Sequence, residues 1–291
     1  MTAALPGVTS EPALARRHPL DIARAVAVLL HPGPSLLVTA CFVAAAAAAR
    51  HQIPGVLTDL RLATVMLPQQ LAIGALNDLC DRDPDRVAKP DKPLVSGAVV
   101  PGVAWAATLA GFALAMGVAA TFPLPTLPLA AVCAGAGVAY DLGLKRGAFS
   151  WLPYWVGFAC LPLAAGAAMG HLSARVAVAA PPLALALALS IHLANTLPDV
   201  EADRRSGAAG LAVRLGARWT RHLCLGLGVL AGVAACSAAP ALGQPVVVVA
   251  LGALPLVAAS AALAALGHSR PFPVLAPAAA VLAAVWLLAL P

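Results

Sequence analysis

Asn77, Asp81 and Asp85 stand four residues apart, and Asn195, Asp199 and Asp203 repeat that spacing 118 positions later. Residues four apart share a helix face, so each triplet aims an amide and two carboxylates in one direction. Only 10% of the chain is charged, and a solvated surface is a poor account of the repetition. Two such faces could hold divalent cations between them. Magnesium prefers carboxylate oxygens together with water and substrate phosphate, and Arg86, Lys89 and Lys92 follow the first triplet closely. The arrangement suits a metal-bridged diphosphate. Zinc would want His or Cys ligands, and the six cysteines are scattered without CxxC spacing. A third polar island, Tyr140-Asp141 followed by Lys145 and Arg146, offers a phenol, a compact ammonium and a planar guanidinium for the same anion.

The elements that position these groups must lie in a bilayer. A hydrophobic content of 61% and a mean hydropathy of +0.90 exceed what a soluble chain of 291 residues could bury. Apolar runs of membrane-crossing length fall at about 24–46, 57–77, 99–120, 124–142, 151–169, 174–196, 220–240, 245–266 and 273–290. The expected fold is therefore all-α, a polytopic membrane protein of about nine transmembrane helices around a central cavity. Residues 1–23 read as a cytosolic N-terminal arm, and 24–291 as a single transmembrane domain. With the amino terminus placed in the cytoplasm, fifteen basic residues collect at cytosolic ends and three, Arg50, Arg61 and Arg175, fall on the other side. That bias puts both acidic triplets on the cytoplasmic face. The net charge of +6 needs no nucleic-acid partner to explain it; the lipid bilayer is the partner.

These residues resemble the UbiA superfamily of intramembrane prenyltransferases. Its first signature, NDxxDxxxD, is matched by Asn77, Asp78, Asp81 and Asp85; its second, DxxxD, by Asp199 and Asp203. The segment Lys92-Pro93-Leu94-Val95-Ser96-Gly97 looks like the K/RPL-x-SG run that often trails the first signature, and Arg214-Leu215-Gly216 like a segment after the second. The resemblance implies acid clusters on the second and sixth helices that hold magnesium, which in turn binds the diphosphate of an isoprenyl donor. Two departures stand out. Four residues separate Tyr140 from Lys145 where the family commonly has three, and His31 precedes Pro32 where many members have Arg.

On this reading Asp81, Asp85, Asp199 and Asp203 are the catalytic acids. With Asn77 and Asn195 they form the Mg²⁺ ligand set, and Arg86, Lys92, Tyr140, Lys145 and Arg146 bind the substrate. The expected activity is Mg-dependent transfer of an isoprenyl group from an allylic diphosphate to a lipophilic, aromatic acceptor. A terpene cyclase on the same scaffold is the alternative, since an alkene of the donor's own chain could quench the same cation. Low aromatic content, 4%, argues against cyclisation, because aromatic faces stabilise migrating cations. A transporter is the third class, but acids gathered at one membrane face beside basic groups are unlike midplane ion sites.

Overall fold

Proline and the charged motifs punctuate an otherwise continuous apolar sequence, and the computed structural model, which describes residues 18–291, breaks where they fall. The helices are α1 Pro19–Leu29, α2 Pro32–Arg50, α3 Val56–Cys80, α4 Arg82–Ala88, α5 Pro101–Ala119 and α6 Thr126–Leu142. They continue as α7 Leu152–Ala168, α8 Ala174–Thr196, α9 Val200–Arg205, α10 Leu211–Ala238, α11 Val246–Leu266 and α12 Phe272–Leu288. Among the described residues there is no strand. Most of the expected N-terminal arm, residues 1–17, lies outside the described residues.

The expected apolar segments correspond to α2, α3, α5, α6, α7, α8, α10, α11 and α12. Length and composition suffice for crossing in five helical stretches, beginning at Pro32, Pro101, Ala174, Leu211 and Val246, and α6, α7 and α12 are shorter apolar helices. The first segment differs from the reading of 24–46: helix begins at Pro19 and is interrupted at His31, whose φ is 48°. Pro32 supplies the reason, since it has no N–H to continue α1 and disfavours helical geometry in the residue before it. The seventh also starts early, at Leu211, with Gly216 at φ 76° and ψ 159° breaking regular helix before the main run.

Neighbour follows neighbour around a closed ring: α2 packs on α3, α3 on α5 and α6, α6 on α7, α7 on α8, α8 on α10, α10 on α11, α11 on α12, and α12 returns to α2. Three apolar clusters pack its helices among the described residues: one on Leu187, Leu225, Leu256, Leu275 and Trp286, a second on Phe42, Leu62, Met66 and Ala164, and a third on Leu29, Ala75, Leu94 and Ala104. The outer faces stay apolar and bare: Val178 is 77% exposed and Leu251 65%. Such surface is stable against lipid tails, not water. Lipid offers no hydrophobic drive for helix association, so close approach over small residues supplies the packing. Gly111 of α5 lies against the Pro68 carbonyl of α3, where a Cβ would come within 2.5 Å.

Candidate active site

Both acidic triplets break their helices at the same place. Asp81 separates α3 from α4 with φ −95° and ψ 2°; Asp199 ends a 3-10 turn, Leu197–Asp199, ahead of α9 with φ −97° and ψ −4°. This sparsely populated bridge region recurs at active sites. The continuous helix expected through each triplet is thus replaced by two helical pieces hinged at the middle aspartate. Pro198 accounts for the second break; Pro84, in the first turn of α4, is accommodated where no N–H is needed.

The two halves meet through a lysine. Lys89, from the loop after the first triplet, places its Nζ 3.0 Å from Asp199 Oδ2 in the second. Asp203 lies within electrostatic reach of Asp199, Lys89, Asp81 and Lys145, which brings three of the four candidate catalytic carboxylates into one neighbourhood, while Asp85 is buried against Lys92. Lysines also hold the first triplet. Lys145 is 2.8 Å from Asp81 Oδ1 and 3.5 Å from Asp141 Oδ1. Lys92 is 2.7 Å from both Asp78 Oδ1 and Asp85 Oδ2. Burial alone would lower the Lys92 pKa, but the Asp78 and Asp85 carboxylates more than offset it and raise it above the usual lysine range.

The remaining candidates divide. Asn77 donates to Asp141 Oδ1 at 2.7 Å, and Asn195 donates to the Tyr154 hydroxyl at 2.9 Å. Tyr140 stacks edge-on against Tyr154, 5.5 Å between centroids, and both rings flank His192. Arg146 keeps an exposed side chain, while its carbonyl accepts from Ala209 N and ties the third polar island to the loop after the second triplet. Arg86 points into solvent and pairs with Asp83 at 3.4 Å; it is not brought to the lysine cluster.

Several site groups are absent from the sequence-derived set. Asp78 and Asp141 are almost fully buried, each with one carboxylate oxygen lacking a hydrogen bond, Oδ2 in both. His31 Nε2 sits 3.0 Å from Asp78 Oδ1, and His192 Nε2 lies 3.0 Å from Ser150 Oγ, which accepts from Leu211 N. Tyr154 had a signal available: the chain has two tyrosines, and they touch.

Among the described residues, no three His, Cys, Asp or Glu groups gather tightly enough to hold one ion; the lysines occupy the carboxylates instead. The donor set still fits magnesium in kind, being carboxylate and amide oxygens, and Asp78 and Asp141 beside it each keep a buried carboxylate oxygen without a hydrogen bond.

Fold and site define a polytopic helical membrane protein with paired acidic motifs converging at one rim. A model of the UbiA prenyltransferase family matches residues 36–275, and the chain belongs to that family; it is a membrane prenyltransferase. It is 29% identical over 216 residues to the digeranylgeranylglyceryl phosphate synthase of Natronomonas pharaonis, covering 73% of this chain and 76% of that one. The apo structure of a UbiA homolog from Aeropyrum pernix K1 superposes with a TM-score of 0.72 at 22% identity, covering 87% of this chain and 97% of that one. A UbiA homolog from Archaeoglobus fulgidus bound to GPP and Mg²⁺ gives 0.69 at 16% identity over 90% and 98%. These two likenesses speak for the fold.

Proposed function

We propose that this chain transfers an isoprenyl group from an allylic diphosphate to a lipophilic acceptor, with magnesium held between its two acidic motifs. The observation that carries the reading is the Lys89–Asp199 contact, which spans 110 residues and joins the two motifs into one site of alternating carboxylate and ammonium. Asn77, Asp81, Asp85, Asn195, Asp199 and Asp203 would hold the metal, which supplies positive charge to the departing diphosphate. Lys89, Lys92 and Lys145 are then free to turn from carboxylate to phosphate oxygens. The exchange keeps opposite charges together, because magnesium would bring positive charge to the carboxylates and the diphosphate negative charge to the ammonium groups.

Breaking the allylic C–O bond leaves a carbocation and diphosphate. Tyr140 and Tyr154 present rings beside the motifs, where an aromatic face stabilises a cation, and the apolar ring of helices keeps water away. The acceptor's electron pair forms the new bond, and its proton passes to the released diphosphate. An aromatic acceptor is the first reading; an alcohol on a glyceryl phosphate is the second, favoured by likeness to the Natronomonas synthase. The site opens to the cytoplasm on this account, supported by the fifteen-to-three distribution of basic residues.

Mass spectrometry of products from geranyl, farnesyl and geranylgeranyl diphosphates tests the proposal, with and without phenols, quinone precursors and a prenylated glyceryl phosphate. Magnesium-dependent, acceptor-dependent product is expected. Abundant cyclic hydrocarbon without acceptor would point to the cyclase, and an unconsumed donor under every condition would overturn the assignment.

A further inference from the structure

The face opposite the acid clusters carries a polar site of its own. There the ends of α2, α5 and α7 and the start of α3 surround a pocket of about 300 Å³ whose lining includes Arg50, Thr58, Arg61, Thr121, Phe122 and Gly170. Arg61 is sixteen residues before Asn77 on the same helix, roughly 24 Å away at 1.5 Å per residue, so this is a separate place. Its guanidinium is fixed: Nη2 donates to the Thr121 carbonyl at 3.2 Å and hydroxyl at 2.9 Å, and the group lies 4.4 Å over the Phe122 ring. Those contacts use one nitrogen and one face. Nε and Nη1 are left without a hydrogen bond or carboxylate among the described residues, as is the whole head of exposed Arg50. The nearby acid, Asp59, does not line the pocket.

The sequence places three basic residues on this side against the general bias, and two of them converge here. Arg50 at a helix end would by itself be a favourable companion of the dipole. An anchored second guanidinium facing the same space, with two threonine hydroxyls and no carboxylate in the wall, is a different matter. Guanidinium forks match the spacing of phosphate oxygens. We propose that this pocket binds a phosphate group, presented by an anionic lipid headgroup or as the free ion.

The test is the thermal stability of the full-length protein in detergent, titrated with dioctanoyl phosphatidylglycerol, inorganic phosphate or phosphate-free dioctanoylglycerol. A rise in Tm with the phospholipid alone assigns the headgroup; a comparable rise with inorganic phosphate assigns the free ion. Arg50→Gln leaves the Arg61 anchor in place and should weaken the apparent affinity about tenfold or more, the worth of a charge-assisted bond. Arg61→Lys keeps charge but loses the fork and should weaken it similarly, whereas Arg175→Gln, on the same side outside the pocket, should not. These comparisons separate the pocket from phosphate bound at the acid clusters. No Tm shift, an equal shift with dioctanoylglycerol, or parental affinity in both Arg50→Gln and Arg61→Lys would overturn the proposal.

Discussion

Lys92 sits 2.7 Å from two carboxylates, with Asp78 and Asp85 side chains 1% and 9% exposed and its own 18% exposed. Removing one partner of a buried pair strands the other charge. Lys92→Met should therefore lower stability by on the order of 3 kcal/mol, visible as a drop in Tm in detergent, and adding Asp78→Asn should restore part of it. A single Lys92→Met variant with parental Tm would mean the carboxylates are neutralised some other way. Asp81 and Asp199 are more exposed, with side chains 24% and 41% accessible. Asp81→Ala or Asp199→Ala should reduce pyrophosphate release by about a hundredfold or more, the scale of losing one electrostatic stabiliser, while the protein elutes as the folded parent does. Full activity in either would remove that side chain from the metal set. Arg86 follows the motif closely in sequence, and one turn of α4 carries it outward to Asp83.

Helix positions were legible because apolar run length is a composition property, and α5, α8 and α11 begin within two residues of where hydropathy places them. What hydropathy does not encode is where a helix breaks and resumes. His31 has a left-handed backbone, and both triplets fold as hinged pairs, with Asp81 and Asp199 in nearly the same conformation. Four-residue spacing alone predicts one continuous face, and it does not show that each triplet is broken at its middle aspartate. Packing distance is equally hidden, since nothing marks Gly111 among 24 glycines until α3 is seen against it. Gly111→Ala would drive a methyl into the Pro68 carbonyl and force α3 and α5 apart, costing about 1 to 3 kcal/mol. Gly117→Ala on the same helix meets open space and should leave Tm unchanged. Equal Tm values for the two variants would show that the α3–α5 contact relaxes freely.

The closed ring gives the molecule two rims with different charge. Lysines and carboxylates of both motifs lie at one, and Arg50, Arg61 and Arg175 at the other, a separation seen in the sequence as a count and in the structure as two distinct sites. Basic residues resist translocation during insertion, so the rim that holds Lys89, Lys92, Lys145 and Arg146 should stay in the cytoplasm. Single cysteines placed at each rim test this. Asp83 has a side chain 85% exposed, and Ile53, in the turn between α2 and α3, is 90% exposed. In intact cells a membrane-impermeant maleimide should label Ile53→Cys and spare Asp83→Cys, with the unsubstituted chain and its six free cysteines as baseline. Permeabilised cells should label both. The reverse pattern in intact cells would invert the molecule, putting the acid clusters outside the cytoplasm and the arginine pocket within it, and the donor diphosphate would then have to arrive from the other side.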